Sequence, residues 1–173
     1  MNQNKVLAIA TTAVLCVGIA LTLIGAMAQG ISKIDKTKIV GSWTQVSVTN
    51  TSPDGKTVRP FGPNDGFMMF DANGRFVKVV ARFDLPKFVS NNRNTGSPEE
   101  NKAVVQGSVG YFGTYTANED GTLTLHIERS SFPNWNGTDQ KYIIVILVDD
   151  EMKLNSFTPS MGGTAEQVFK RIK

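Results

Sequence analysis

The chain has 173 residues, with 18 Lys and Arg against 15 Asp and Glu, one histidine, one cysteine and a formal charge of +3. That length suits one ordinary domain, and aromatic and β-branched residues spread along it argue against a disordered chain. One cysteine excludes an internal disulfide framework and a Cys-clustered metal site, and a charge of +3 is too small to argue for nucleic acid. One histidine likewise excludes a His-rich metal centre, so no metal and no cofactor is expected.

The chain opens as an address. Met1 to Lys5 is polar with one positive charge, and Val6 to Ile24 then runs without any charge. Ala26-Met27-Ala28 offers the small side chains that a signal peptidase pocket admits, so residues 1–28 read as a secretory signal cut after Ala28. The alternative is an uncleaved hydrophobic helix. At about 1.5 Å rise per residue, residues 6–24 nearly cross roughly 30 Å of hydrocarbon. Cleavage would also remove Cys16, leaving an exported domain without cysteine that its core alone must hold. A periplasmic or secreted protein is therefore expected, with an inner-membrane anchor through residues 6–24 as the other option.

Residues 29–38 form a charged linker, and residues 39–173 read as one domain. Ile39 to Asn50 alternates, with Trp43, Gln45 and Ser47 on one side and Val46 and Val48 on the other. Pro53-Asp54-Gly55 is a turn. Gly66 to Phe70 and Arg75 to Val80 are strand candidates joined by Asp71-Ala72-Asn73-Gly74, where Asn and Gly tolerate positive φ. Arg82 to Gly96 breaks the rhythm with Pro86 and a polar run, and reads as a long loop. Ser97-Pro98-Glu99-Glu100 is a helix start, with Ser97 as the cap and Glu100 closing a capping box, so a short helix is predicted from Pro98 to about Gly107. Tyr111 to Thr116, Thr122 to Ser130, Lys141 to Val148, Lys153 to Thr158 and Thr164 to Ile172 complete the strands.

Eight strands with mostly hairpin-length connections fit an all-β, eight-stranded antiparallel up-and-down barrel with one short helix. A sandwich is the alternative, because strand count alone does not decide closure.

Blocks along nearly the whole domain bear on the same question. They are Gly41-Ser42-Trp43, Arg59-Pro60-Phe61-Gly62, Asn73-Gly74-Arg75, Pro86-Lys87-Phe88, Tyr111-Phe112-Gly113-Thr114-Tyr115, His126 with Glu128, and Phe132-Pro133-Asn134-Trp135. In these the chain resembles the lipocalin-like domain family of small bacterial and fungal proteins. Gly-x-Trp in the first strand with Arg171 in the last is similar to the broader lipocalin pattern. The resemblance implies a barrel with a cavity, and a structural pair in which Arg171 lies across the face of Trp43 at the closed end. It implies no single activity.

The candidate site residues come from strand faces and loops. His126 and Glu128 share one face of their strand, with Leu123, Leu125 and Ile127 on the other. If the polar face points inward, the pair could hold a hydroxylated or anionic ligand, or serve as acid and base. If the leucine face points inward, the pair lies in solvent. Tyr111 and Tyr115 share a face and could line a mixed ligand, or be core residues with satisfied hydroxyls. Arg82 could attract acids at the mouth or cover a loop. Trp135 sits in an aromatic loop that could gate the cavity or plug it.

These residues support three readings. The first is a non-enzymatic exported protein that takes a small apolar or amphipathic molecule into the barrel. The second is an isomerase- or cyclase-type enzyme using His126 and Glu128. The third is a structural or interaction barrel packed solid. The sequence contains no Gly-x-Ser-x-Gly, HExxH or phosphate-cradling glycine loop. Nothing in it sets the oligomeric state.

Overall fold

The computed structural model describes residues 34–62, 64–157, 159 and 162–173. The signal or anchor expected over residues 1–28, and the linker as far as 33, lie outside them. Among the described residues no helix is long and apolar enough to cross a membrane.

The strands are β1 (Gly41–Thr51), β2 (Thr57–Val58), β3 (Asn64–Phe70), β4 (Arg75–Arg82), β5 (Ser108–Ala117), β6 (Thr122–Ser130), β7 (Thr138–Leu147), β8 (Glu151–Ser156) and β9 (Thr164–Arg171). The helix α1 (Pro98–Gly107) lies between β4 and β5. From β3 to β9 each strand pairs antiparallel with the next, β1 pairs with β3, and β9 returns to β1 from Trp43↔Arg171 to Thr51↔Thr164. That last ladder closes an eight-stranded barrel and leaves none of its strands as an edge. The sandwich alternative falls with it. The two-residue β2, which the sequence reading does not contain, folds back on the end of β1 after the turn at Gly55.

Alternation puts every second residue on the inner wall, where it leaves water. Trp43, Phe70, Leu123, Leu125, Ile127, Met152, Leu154 and Phe169 are all buried to within 1% of complete. Bulges adjust this phase. In β1 the extra residue between Gln45 and Ser47 turns Val48 and Asn50 inward, whereas a strict alternation grouped Ser47 with Trp43 and Gln45.

The two ends of the barrel differ. At one end residues 71–74, 118–121 and 148–150 make tight hairpins, with Gly74 at φ 82° and Gly121 at φ 86° in the left-handed region. A 3₁₀ turn (Lys36–Ile39) closes this end, and Trp43 Nε1 donates to Ile39 O at 2.9 Å. The Arg171 guanidinium lies 4.0 Å from the centre of the Trp43 ring and donates to the carbonyls of Val40 (2.8 Å), Asp149 (2.5 Å) and Lys38. At the other end lie the described parts of the connections that follow β1, β4, β6 and β8, namely 52–62, 83–107, 131–137, 157, 159 and 162–163. Here α1 begins with a capping box: Ser97 Oγ accepts from Glu100 N at 3.2 Å, and Glu100 Oε2 from Ser97 N at 2.7 Å. Glu100 Oε1 also accepts from Val89 N at 2.8 Å, tying the long loop to the helix.

Candidate functional site

Above the sealed end the inner wall changes character. Lys78 is 4% exposed, and Gln45, Asn50, Gln140, Ser156 and Gln167 are buried with it. Lys78 comes from β4, between Phe76 and Val80 on the inward face. Its ammonium donates to Gln167 Oε1 from β9, and lies 5.4 Å from the Phe169 ring centre and 6.0 Å from that of Tyr111. The Tyr111 and Tyr142 hydroxyls bond to each other, and Tyr142 bonds to Gln167. A layer of amides, phenols and one amine therefore crosses the barrel within an apolar wall.

Burial dominates the electrostatics of this layer. It pushes the Lys78 amine down to about 7, because a charged ammonium loses its water there. It pushes both the Tyr111 and Tyr142 phenols up, so they stay neutral donors and acceptors at neutral pH. Asn50 donates from Nδ2 to Gly162 O at 3.2 Å, and its buried Oδ1 has no hydrogen-bond partner among the described residues. Polar groups with unspent bonding capacity inside an apolar tube suit a small molecule carrying a few polar atoms.

The expected site residues divide. Tyr111 belongs to this layer, and Trp135 packs edge-on against its ring at 5.2 Å, with Phe132 edge-on to Trp135 at 5.5 Å. The aromatic loop thus rests on the upper end of the interior. Tyr115 is elsewhere: its hydroxyl donates to Asp71 O at 2.8 Å beside the sealed end, and its ring packs edge-on to Phe70. Arg82 sits at the rim, forked onto Asp84 at 2.7 and 2.5 Å.

The inward placement of His126 and Glu128 needs correcting. Leu123, Leu125 and Ile127 take the interior, because three apolar side chains gain more by leaving water than an imidazole and a hydroxyl face would. His126 is 51% exposed and its Nδ1 meets Asp139 Oδ1 at 2.8 Å. Glu128 forks onto Arg75 at 2.5 and 3.0 Å, and that guanidinium holds its carboxyl below the usual carboxylate range. The pair is part of a charged row on the outer wall and does not reach the barrel interior. A depression of about 290 Å³, lined by Thr49, Thr51, Thr57, Asn155, Phe157 and Thr164, is also at the open end, with Thr49, Asn155 and Thr164 out of phase with the buried inward residues of their strands. Among the described residues no three His, Cys, Asp or Glu side chains gather as a metal site.

Sequence reasoning missed Lys78, Gln167, Tyr142 and Gln140. The signal for Lys78 was present: in Phe76-Val77-Lys78-Val79-Val80 the lysine shares a phase with Phe76 and Val80. Gln167 likewise falls between Ala165 and Phe169. A polar residue in the buried phase of a strand is the pattern to look for.

Over residues 40–170 the sequence matches the profile of a lipocalin-like domain, and the chain belongs to that family. A comparison with curated protein sequences found no match. Among solved structures the chain is similar to a redesigned β-barrel, at 16% identity and a TM-score of 0.42 over 79% of this chain and 94% of that one. It is also similar to bovine odorant-binding protein in complex with undecanal, at 15% identity and a TM-score of 0.39 over 82% of this chain and 76% of that one.

Proposed function

We propose that this lipocalin-like barrel is an exported carrier that holds one small apolar or amphipathic molecule in its interior. The observation that carries the reading is the polar layer around Lys78, buried within apolar walls and overlain by the Trp135 loop. A barrel built only for stability would fill that level with apolar side chains, as it does lower down with Trp43, Phe70, Leu123 and Phe169. The long connections at the open end, with Phe83 and Phe157 more than 60% exposed beside them, support entry from that side. Export is supported by the sequence of residues 1–28.

The test is direct. Protein purified from its native host is denatured, extracted and analysed for small molecules by mass spectrometry. One amphiphile per barrel is expected. No co-purifying molecule, together with no thermal shift against a panel of lipids and aromatic acids, refutes the reading. N-terminal sequencing of the same sample should begin at Gln29; a start at Met1 makes residues 6–24 an anchor.

A further inference from the structure

Among the described residues, the interior of this barrel holds a basic group and no acidic one. The buried polar side chains among the described residues are Gln45, Asn50, Lys78, Gln140, Ser156 and Gln167, and none is an acid. Among the described side chains, the acids on the surrounding strands are committed on the outer wall: Glu128 to Arg75, Asp139 to His126, Glu151 to Lys170 and Glu166 to Lys153. Among the described residues Gln167 Oε1 is the only acceptor that Lys78 Nζ meets, while an ammonium has three N–H donors to place. Among the described residues the titratable group facing it is the Tyr111 phenol, which is bonded in turn to Tyr142, and burial keeps both phenols protonated and uncharged. An ammonium held this way lacks both a counter-charge and part of its hydrogen bonding, each of which is costly in a low-dielectric interior.

We propose that Lys78 anchors a carboxylate and that the barrel's ligand is an amphipathic monocarboxylic acid. The head group would sit on Lys78 Nζ beside Gln167, with the apolar tail running towards the open end. This rests on the reading of the interior as a small-molecule site and names the ligand class for it. One carboxylate oxygen supplies the missing charge, and the pair accepts the N–H donors that Gln167 leaves. A single charge fits better than a doubly charged phosphate, because the layer holds one cation and Arg82, further along β4, is already forked onto Asp84. The direction of the tail follows from packing. Below the lysine, Trp43 and Phe169 lie towards the end that Arg171 and the 3₁₀ turn close. Above it, the wall rises over four residues, roughly 13 Å, from Lys78 to the rim at Arg82. Burial that pushes the amine down to about 7 works in the same direction, since an incoming carboxylate favours the protonated form and draws a proton onto it.

The experiment compares decanoate with decan-1-ol, which share a chain and differ in charge, by calorimetry at pH 7 on the wild-type protein, K78M and K78Q. Wild type should bind decanoate at least tenfold more tightly than decan-1-ol. Both variants should lose that preference, with acid binding falling at least tenfold and approaching that of the alcohol. K78Q keeps a polar side chain, so the comparison survives if K78M repacks. Equal affinity for acid and alcohol in wild type, or an acid preference that persists in both variants, overturns Lys78 as the anchor and leaves the carrier reading standing. Binding of neither compound, with no co-purifying molecule, removes the carrier reading and this proposal together.

Discussion

At one end of the barrel Trp43 and Arg171 lock together, three carbonyls satisfy the guanidinium, and the connections are only three or four residues long. At mid-height and above, the same strands carry an amine, amides and phenols inward, and their connections lengthen to include a helix. The two regions share one sheet and one alternation rule, so the difference lies in which residue types occupy the inward phase. The sealed end is built for stability, and the level around Lys78 gives some of that stability up.

The comparison can be broken by mutation, and the largest effect belongs to the sealed end. Trp43→Ala should cost about 3–5 kcal/mol in chemical denaturation, since it removes a fully buried ring and leaves Arg171 facing a void. A cost below about 1 kcal/mol would mean that this end is not the stability centre.

Next comes Lys78→Met, with the opposite sign. Replacing an uncompensated buried amine by an apolar side chain of similar length should stabilise the ligand-free protein by on the order of 2 kcal/mol near pH 6. The pH dependence follows from the lowered amine: it titrates near 7 in the folded chain against 10.5 as its ordinary value. Between those values the unfolded chain binds more protons, so wild-type stability rises with pH across that window. The advantage of Lys78→Met should therefore shrink as pH goes from 7 towards 10. Denaturation curves at pH 6, 8 and 10 check it; a constant difference would mean that Lys78 is hydrated in the folded protein.

Much of this architecture was readable beforehand, for a physical reason. The helix from Pro98 to Gly107 is written in a four-residue capping pattern, and the hairpins at residues 71–74 and 118–121 in Asn, Asp and Gly. These signals are local, so neighbouring residues suffice to read them. Closure was not local: it depends on β9 finding β1, more than a hundred residues away, and the family resemblance supplied it. The site was harder. His126 and Glu128 drew attention as chemically versatile residues, yet the leucines opposite them settled which face entered the core. Lys78 was passed over inside an otherwise apolar strand, although its phase with Phe76 and Val80 placed it inward. The β1 bulge could not be read from alternation, because a bulge is a departure from it.

Smaller effects sharpen the contrast. Ser97→Ala removes the α1 cap and should cost about 1 kcal/mol, seen as faster amide exchange in α1 with little change in β6 and β9. Equal acceleration in the barrel strands would tie the helix into the sealed core. His126→Ala breaks only an exposed pair with Asp139, so its stability change should stay within about 0.5 kcal/mol and ligand affinity should not move. A loss of binding there would return the site to the outer wall.

The most direct measurement is of the lysine itself. With ¹³C-labelled lysine, NMR follows the Lys78 side chain through a pH titration, identified by the resonance missing in K78M, with and without saturating decanoate. The expected result is a midpoint near 7 in the free protein and a rise of at least one unit with the acid bound. A midpoint near 10.5, the ordinary lysine value, in both states would contradict a buried, uncompensated amine at the centre of this barrel.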